Sequence, residues 1–497
     1  MNQLLPLPIL LPLLGAGLSM VLGRSRNAQR LVSLAIHAAV LGIAVAIFVV
    51  VERDGTRATD AGGWPAPLGI VLVADRYSAL MLVVAALVLL VVLVYAIGEP
   101  GAERNHVGFQ SVYLVLTAGV AASFLTGDLF NLFVAFEMML TASYVLMTLG
   151  GGPDQIRSGM TYVVISLLAS ALFVTALALL YMATGTVNMA DLSIKIAALS
   201  PGVRTAFALL LLVVFGIKAA LVPLFFWLPD SYPSAPSPVT AIFAGLLTKV
   251  GVYAIFRTQT LLFPASTRPA TLLLVVAGAT MVIGVLGAIA QDDVKRILSF
   301  NIVSHIGYMV MGLGFFSIAG LAGAVFYTVH HIVAKTTLFL TGGLIEHAGG
   351  SSRLRQLGGM VKTTPVVAVL FLVPALNLAG VPPLTGFVGK LALVDAGLRQ
   401  HEYLIVGVAL LVSLLSLYSL LKIWSGAFWS SAREKPPVAP AAVGTTISNG
   451  PPRRPTATLA IVSVAMAAAA GPLYSFSERA ASDLLDPSSY LHAVLGR

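Results

Sequence analysis

Cysteine is absent from this sequence of 497 residues, and charged residues are scarce at 10% of the chain. Without cysteine the protein can form no disulfide, use no thiol nucleophile and bind no iron–sulfur cluster through its own side chains. Glycine-rich loops of the G-x-G-x-x-G and Walker types are missing as well, so no nucleotide site is recognisable. The sequence therefore predicts neither a redox cofactor nor a catalytic nucleophile.

Hydrophobic residues are abundant at 58%, whereas a soluble domain usually carries about 25% charged residues. Runs of about 20 apolar residues, each long enough to cross a bilayer as a helix, recur about 14 times. We expect an all-α polytopic membrane protein. The first run lacks a basic flank, so we expect it to be a retained helix rather than a signal peptide. The predicted spans are 4–22, 31–51, 77–97, 109–126, 129–149, 159–182, 205–228, 238–257, 270–290, 297–316, 319–344, 364–394, 403–425 and 457–475.

The net charge of +9 would suggest nucleic-acid binding in a soluble protein, but here the cations lie mostly in short loops between spans. We therefore predict no nucleic-acid partner. Lys and Arg number 14 in the loops on one side and 10 in those on the other. By the positive-inside rule, this bias predicts that both termini lie outside the cytoplasm.

Two loops have a distinctive composition. Residues 52–76 contain turn-forming residues followed by the apolar run GIVLV, which predicts a short hairpin on the outer face. Residues 431–456 are rich in Pro, Gly, Ser and Thr, which predicts a flexible linker before the last helix.

Few ionisable residues lie inside the predicted spans. Each costs about 2.5–3.5 kcal/mol at a helix centre, so each is a candidate functional group. The candidates are Glu137, Lys218, Lys249, His305, His330, His331, Lys335 and Lys390.

Each candidate also has a structural explanation. A lysine near the end of a helix can extend its ammonium group to the lipid headgroups. Glu137 could form a purely structural ion pair, and a buried neutral histidine that is hydrogen-bonded to backbone is common. These alternatives stay open at the level of sequence.

His331 and Lys335 are four residues apart, so their side chains share one face of a helix and could exchange a proton directly or through one water. His330 projects about 100° away from that face. The adjacent histidines diverge, and no carboxylate or cysteine is close in sequence, so we predict no metal site.

Prolines interrupt two spans beside a lysine. Pro223 follows Lys218 by five residues in the seventh span. In the twelfth span, four helix-breaking residues precede Lys390, namely Gly380, Pro382, Pro383 and Gly386. Freed backbone groups are tolerated at membrane depth only where protein or water meets them, so each break predicts a hydrated pocket. Broken helices at corresponding positions also predict two inverted repeats of five helices.

Hydrated, buried lysines can load and release protons when a partner charge moves. The titratable groups, without a nucleophile or cofactor, thus predict a path for protons across the membrane. Moving a carboxylate from about 4 to about 8 Å away from a lysine changes their interaction by roughly 2 kcal/mol at an effective dielectric constant of about 20.

Five stretches resemble a known family. They are GDLFNLFVAFEMMLTASYVLM, GIKAALVPLFFWLPDSYPSAPSPVTAIFAGLLTKVGVY, QDDVKRILSFNIVSHIGYM, HHIVAKTTLFLTGG and LAGVPPLTGFVGK. Together they are similar to the antiporter-like subunits shared by multi-subunit Mrp cation/proton antiporters and respiratory complex I, and most similar to the D-type subunits of the Mrp antiporters. The likeness covers roughly residues 70 to 425.

This resemblance implies a role for each candidate. Glu137 and Lys218 would form a coupling ion pair, Lys249 would pass the proton to the centre, and Lys390 would be the terminal carrier. His331 and Lys335 match the family's His and Lys, and His305 occupies a polar position. The implied regions are 1–108 (three helices and the hairpin), 109–257 and 270–425 (the two repeats), 426–456 (the linker) and 457–497 (the last helix and tail).

Three functions are compatible with these features. The first is a subunit of a Na⁺/H⁺ antiporter complex in a bacterial or archaeal cell membrane, with other membrane subunits as partners and K⁺ or Li⁺ as possible alternatives to Na⁺. The second is a proton-pumping subunit of a complex I-type redox assembly. The third is a scaffold in which the buried charges are structural. Acidic groups suited to Na⁺ are scarce inside the spans, which predicts that a partner subunit carries the cation.

Overall fold

The computed structural model describes residues 2–99, 108–431 and 453–496. Helices form nearly all of its regular structure, and ten of those described are long and apolar enough to cross a membrane. A bent pair would make eleven, and three more apolar helices are shorter. The architecture agrees with the predicted all-α polytopic protein, whereas the number of 14 crossings and the division into repeats stay predictions.

The helices follow one another with short connections. The first eleven are Leu7–Val21 (α1), Arg26–Asp54 (α2), Arg76–Gly98 (α3), Phe109–Leu125 (α4), Leu129–Thr148 (α5), Pro153–Thr184 (α6), Met189–Ala197 (α7), Pro201–Ala219 (α8), Trp227–Ser231 (α9), Ser237–Ile242 (α10) and Thr248–Leu261 (α11). The remaining ten are Ala270–Ala290 (α12), Val294–Gly314 (α13), Ile318–Gly349 (α14), Met360–Thr363 (α15), Pro365–Ala379 (α16), Thr385–Arg399 (α17), Tyr403–Trp424 (α18), Arg453–Ala468 (α19), Ala470–Leu485 (α20) and Ser488–Leu495 (α21).

A two-stranded hairpin stands between α2 and α3. Its strands, Arg57–Asp60 (β1) and Val71–Ala74 (β2), pair antiparallel with Arg57 opposite Ala74 and Asp60 opposite Val71. The strand β2 is buried. The hairpin predicted from residues 52–76 is therefore confirmed.

Both predicted helix breaks are confirmed. α8 ends at Ala219, the following Ala220 has a left-handed backbone with φ of 61°, and helix resumes only at Trp227. α16 ends at Ala379, and Gly380 takes a φ of 88°, a conformation that glycine adopts without strain. The proline residues then lie in the gaps, where no helical N–H is required of them.

A π-helical segment, Phe243–Leu247, joins α10 to α11 and was not predicted. At its centre, a Cβ on Gly245 would collide with the Thr336 hydroxyl oxygen on α14. Glycine at this position therefore leaves room for the Thr336 hydroxyl in its present rotamer. π-helical turns often occur at functional sites because they redirect side chains and free backbone groups.

The sequence prediction for the last span was wrong in one respect. Instead of one helix over 457–475 followed by a tail, α19 and α20 meet at an angle of 79°, and helix continues to Leu485. Pro472 explains the bend, because its ring replaces the N–H that would bond the Ala468 carbonyl. Most of the linker predicted at 426–456 lies outside the described residues.

The helix α14 forms the axis of the core. Its 32 residues are buried over almost their whole length. Ser317 caps its first turn by accepting a hydrogen bond from the Gly320 backbone N–H at 3.2 Å. The helices that pack against it come from both halves of the chain, namely α3, α10, α13, α16, α17, α19 and α20. Side chains of α14 can therefore interact with both halves of the second broken helix, α16 and α17.

Candidate functional site

Glu137 and Lys218 are joined through a third residue. The Ser170 hydroxyl on α6 donates to Glu137 Oε1 and accepts from Lys218 Nζ at 3.1 Å. Lys218 also donates to the Ser166 carbonyl at 3.4 Å, and its ammonium lies 5.7 Å from the centre of the Phe136 ring. Among the described residues, Glu137 and Lys218 form no direct ion pair. Within the described part of the chain, the serine oxygen is the one atom that hydrogen-bonds to both.

Helix ends determine where these two charges lie. Asp128 begins α5 by accepting a hydrogen bond from the Asn131 backbone N–H at 2.8 Å, which places Glu137 nine residues inside the helix. Burial raises the pKa of the Asp128 carboxyl to about 6, against two backbone hydrogen bonds that lower it. Lys218 lies in the last turn of α8, where the exposed carbonyl ends favour a cation.

A small cavity of about 20 Å³ adjoins Lys218, which is room for about one water molecule. Its wall includes Lys218, Ser166 and Tyr162 together with Leu247 of the π-helical segment. The remaining wall is apolar. The cavity therefore adjoins both Lys218 and the π-helical segment that precedes α11.

Lys249 lies two residues after the end of the π-helical segment and is fully buried. Its Nζ donates to the Ala244 carbonyl at 2.5 Å and to the Thr248 hydroxyl at 3.2 Å. Both acceptors are neutral, and among the described residues no carboxylate pairs with this ammonium. A charge on Lys249 is therefore stabilised only by neutral dipoles in the described part of the chain.

His305 on α13 and His331 on α14 face each other with ring centres 5.4 Å apart. His305 Nδ1 shares a hydrogen bond with the Tyr327 hydroxyl, and its ring stacks on Tyr327 and Tyr308. His305 Nε2 and both ring nitrogens of His331 have no partner among the described residues. These nitrogens are free to accept or donate a proton.

His330 is directed toward the twelfth-span break. Its Nδ1 lies 2.9 Å from the Thr385 hydroxyl at the start of α17. That hydroxyl donates to Asn377 Oδ1 at 3.0 Å, and the same oxygen accepts from the Gly386 backbone N–H at 2.7 Å. Asn377 lies on α16, so this short network joins the two half-helices to α14.

Lys335 and Lys390 also bind backbone carbonyls. Lys335 Nζ donates to the Leu298 carbonyl on α13 at 3.1 Å. Lys390 Nζ donates at 2.9 Å to the Ala379 carbonyl, the last of α16, and at 2.9 Å to the Ser413 hydroxyl on α18. The Tyr308 ring, which stacks on His305, lies 5.2 Å from the Lys390 ammonium.

The predicted residues form two groups. Glu137 and Lys218 make one, joined through Ser170. In the other, the His305 ring contacts those of His331 and Tyr308, and the Tyr308 ring also contacts the Lys390 ammonium. Lys335 lies one helical turn after His331 on α14, and Lys249 follows the π-helical segment that packs on α14 at Thr336. Within the described part of the chain, no hydrogen bond joins the two groups, and no set of three His, Asp or Glu side chains could hold a metal ion.

Sequence reasoning missed the neutral members of the site. These are Ser170, Tyr308, Tyr327, Asn377 and Ser413, which bond to or contact the predicted charges. A lone serine or tyrosine in an apolar helix is common and carries no signal of its own. The asparagine a few residues before a double-proline segment is the one that could have been noticed.

Comparison with known proteins gives consistent matches. Residues 126–416 match the family described as NADH:quinone oxidoreductase/Mrp antiporter, TM. Over the full length of both chains, the sequence is 43% identical to the D subunit of the Na⁺/H⁺ antiporter of Alkalihalophilus pseudofirmus and 38% identical to that of Bacillus subtilis. Among solved structures, a chain of the Mrp complex from Dietzia sp. DQ12-45-1b is similar with a TM-score of 0.91 and 35% identity, and both chains are covered completely.

Proposed function

Because this chain belongs to the family of Mrp antiporter D subunits, within the wider family that includes membrane subunits of NADH:quinone oxidoreductase, we propose that it is one membrane subunit of a cation/proton antiporter complex. The complex would exchange protons for Na⁺ or another monovalent cation across a bacterial or archaeal cell membrane. The observation that carries this proposal is the buried chain of contacts from His331 through His305 and Tyr308 to Lys390, with the fully buried Lys249 two residues after the π-helical segment that packs on α14.

The Glu137 carboxylate controls the first step. Ser170 donates a hydrogen bond to this carboxylate and accepts one from Lys218. While both hydrogen bonds are present, the carboxylate polarises the hydroxyl, and the hydroxyl oxygen stabilises the ammonium. When Glu137 moves away, Lys218 loses that stabilisation and releases a proton more readily. A change of roughly 2 kcal/mol, from about 4 to 8 Å at a dielectric constant of about 20, is more than one pKa unit.

The proton then travels along the core. One water in the cavity beside Lys218 would carry it toward Leu247 and the adjoining Lys249. The unpartnered nitrogens of His331 and His305 accept and donate in turn, and Lys390 receives the proton at the second helix break. Release from Lys390 completes the crossing, and Lys335 tunes the histidines through its charge.

The cation takes another route in this proposal. Na⁺ prefers several oxygen ligands that include carboxylates, and Glu137 is the one carboxylate in the described proton line. We therefore assign the cation path to a partner subunit. Coupling then passes through the conformation of the complex, with both termini of this chain on the outer side.

Exchange in everted vesicles lacking native antiporters tests this function. Na⁺ is added to vesicles with an imposed pH gradient, and dissipation is compared between the complete wild-type complex and Glu137→Gln, Lys218→Ala and Lys390→Ala, with assembly checked on a native gel. We expect each variant to assemble and to lose most of the exchange. Lys195→Ala, which removes an exposed lysine on α7, serves as the control and should exchange normally.

Two other outcomes contradict the proposal. If wild type shows no cation-dependent exchange, the protein is better explained as a proton-pumping subunit of a redox complex, and quinone-site inhibitors rather than cation removal should stop transport. If the variants lose exchange only because the complex fails to assemble, the buried charges are structural.

A further inference from the structure

A second line of polar side chains leads away from Lys249 along α11. Lys249, Tyr253 and Arg257 are spaced by four residues and so share one face of the helix. All three are buried. Eight residues of helix span about 12 Å, and the line ends at Asp75, the residue that follows β2 of the hairpin. Nothing in the proposed proton line uses Tyr253, Arg257 or Asp75.

Such a line could conduct protons from Lys249 to the hairpin side, but its hydrogen bonds oppose this. The Tyr253 hydroxyl donates to the Phe124 carbonyl at 2.8 Å and accepts from Arg257 Nη2 at 3.2 Å. Its single proton is therefore committed to a carbonyl. A guanidinium does not release its proton in proteins, so Arg257 cannot relay one.

Arg257 is held as a permanent cation by two bonds to Asp75, at 2.6 Å from Nη1 and 2.8 Å from Nη2. Burial alone would raise the pKa of Asp75, but the Arg257 charge and hydrogen bonds from Arg257 and Ser78 outweigh it and leave the pKa below its usual value. Asp75 thus stays ionised at neutral pH and does not act as a carrier.

Aromatic rings cover this ion pair. The guanidinium lies 5.4 Å from the Tyr253 ring centre and 5.3 Å from that of Tyr490, which α21 supplies. Tyr77 stacks on Tyr253 at 4.9 Å. The rings leave Asp75 and Arg257 only 4% and 5% exposed, so little water screens the cation.

Beyond the rings, a second set of charges continues to the surface. Arg76 bonds to Glu52 and Asp483, and Arg479 bonds to Glu52, with exposure rising from 21–22% at Arg76 and Asp483 to 44% at Arg479. These groups, which include the carboxylates of Glu52 and Asp483 nearest to Asp75, are already paired with one another. Among the described residues, this cluster holds two buried hydroxyl groups without a hydrogen-bond partner, those of Tyr77 and Tyr490. A neutral phenol is a very weak base, so neither hydroxyl takes up a second proton, and the carboxylates of Glu52 and Asp483 are already paired.

We propose that the Asp75–Arg257 pair is an electrostatic seal that keeps a proton on Lys249 from leaving toward the hairpin side and so directs it to His331. The seal rests on the proposed role of Lys249 as a proton carrier. Its cation repels any second positive charge that moves outward along α11, while Asp75 fixes the cation in place without accepting the proton itself.

Passive proton leak tests the seal. The complete complex is reconstituted in vesicles, a pH gradient is imposed without Na⁺, and its decay is followed. The double variant Asp75→Asn/Arg257→Gln removes the cation without leaving a buried charge unpaired, so it should be tolerated in assembly. We expect its leak to exceed the wild-type leak by about twofold, because the variant removes both the cation at about 12 Å from Lys249 and the anion about 4 Å beyond it, whose effects largely cancel at a dielectric constant of about 20.

Further variants separate the possible outcomes. Adding Lys249→Ala to the double variant should abolish the extra proton leak. Arg257→Lys should leak no faster than wild type, because it keeps the cation. The seal is overturned if the double variant assembles and leaks at the wild-type rate, or if its extra leak persists without Lys249. Neither result depends on whether wild type exchanges Na⁺, so the seal and the proposed function can fail separately.

Tyr253→Phe provides a test that leaves the charges in place. The seal predicts normal Na⁺-dependent exchange and no leak, because Arg257 still blocks the line. If α11 were instead a conducting route, loss of the hydroxyl would reduce exchange, and that reduction would overturn the proposal.

Discussion

One hydroxyl group separates the carboxylate of Glu137 from the ammonium of Lys218. Ser170 bonds to both, so the strength of their interaction depends on a neutral residue that contributes no charge. A hydroxyl can rotate within picoseconds to nanoseconds, whereas the helices that bear the charges move much more slowly. The serine can therefore adjust to either protonation state of Lys218 without movement of α5 or α8.

We predict that Ser170→Ala reduces Na⁺-dependent exchange by roughly tenfold, since a hydrogen bond to a charged group contributes about 1.5–3 kcal/mol. Exchange rates in vesicles at equal complex content measure the effect. Ser170→Thr keeps the hydroxyl and should retain most of the exchange. Equal activity of the alanine and wild-type complexes would show that Ser170 only fills space.

A second prediction concerns Glu99, the residue that follows α3. It lies beside an ion pair in which Lys295 Nζ and Glu346 Oε2 are 2.5 Å apart. Burial raises the pKa of Glu99 to about 7, the Lys295 charge opposes this rise and the Glu346 charge adds to it. An unfolded glutamate titrates near 4.3, so between those pH values the folded chain must hold a proton that the unfolded chain releases. The contribution of Glu99 to the free energy of unfolding therefore falls as the pH rises from about 4.3 to about 7, and it is constant above pH 7.

Glu99→Gln removes this contribution. We expect the variant to raise the melting temperature of the purified complex by a few degrees at pH 8 and by less at pH 5. Asp60→Asn, at an exposed position of the hairpin, controls for the loss of one negative charge. An identical gain at both pH values would contradict the raised pKa.

The charged members of the site were predictable because each interrupts an apolar run at a measurable cost. Lys218, Lys249 and Lys390 are buried, as expected. Their partners were not predictable, because the contact of Ser170 with Lys218 depends on how α6 packs against α8. Linear sequence carries no information about that packing at the level of a single serine.

At the scale of elements, one side chain connects the two halves of the broken twelfth span. The gap after α16 is bridged by Asn377, whose side chain binds the first turn of α17 and donates to Ser463 on α19 at 2.5 Å. A Cβ on Gly386 would collide with the Asn377 carbonyl oxygen, so the half-helices are in backbone contact. This break is thus a joint with a defined geometry.

We predict that Asn377→Ala loosens the joint and lowers both stability and exchange. Thr385 and Gly386 would each lose a buried acceptor, at a cost of about 1–3 kcal/mol for an unsatisfied group. Thermal unfolding and vesicle exchange measure the two effects. Ser463→Ala removes only the third partner and should be milder, and equal effects of the two substitutions would show that the bridge across the break is unimportant.

Proline positions made the breaks in the seventh and twelfth spans predictable, since proline cannot donate to the helix. The π-helical segment was not, because no residue type marks it and Gly245 reads as one more glycine in an apolar run. The bend between α19 and α20 could have been predicted from Pro472, but the surrounding alanines continue the apolar pattern and conceal it.

At the scale of the whole molecule, the hairpin, α20 and α21 collect at one side of the protein. Arg76 on α3 binds Asp483 on α20, and Thr56 beside β1 lies 3.4 Å from Ser489 on α21 through their hydroxyl groups. The opposite side bears Lys295, Arg353 and Arg355. These sides correspond to those that the loop charges predict to be outer and cytoplasmic.

Absence of cysteine allows a direct test of this orientation, because one introduced thiol is the only one in the chain. We expect Ala61→Cys in the hairpin to react with a membrane-impermeant thiol reagent in intact cells. Gln356→Cys, exposed on the other side, should react only in everted vesicles. The reverse pattern would place both termini in the cytoplasm.

Lys390 donates a hydrogen bond to the Ala379 carbonyl, so the backbone itself records whether this side chain is charged. A cation at that distance weakens the C=O bond, and its loss returns the carbonyl to the frequency of an ordinary helix end. Infrared absorption of an isotope-labelled Ala379 peptide would then follow the charge of Lys390 during turnover, with no dye attached and no side chain changed. The helix break places a natural vibrational reporter beside the proposed last proton site.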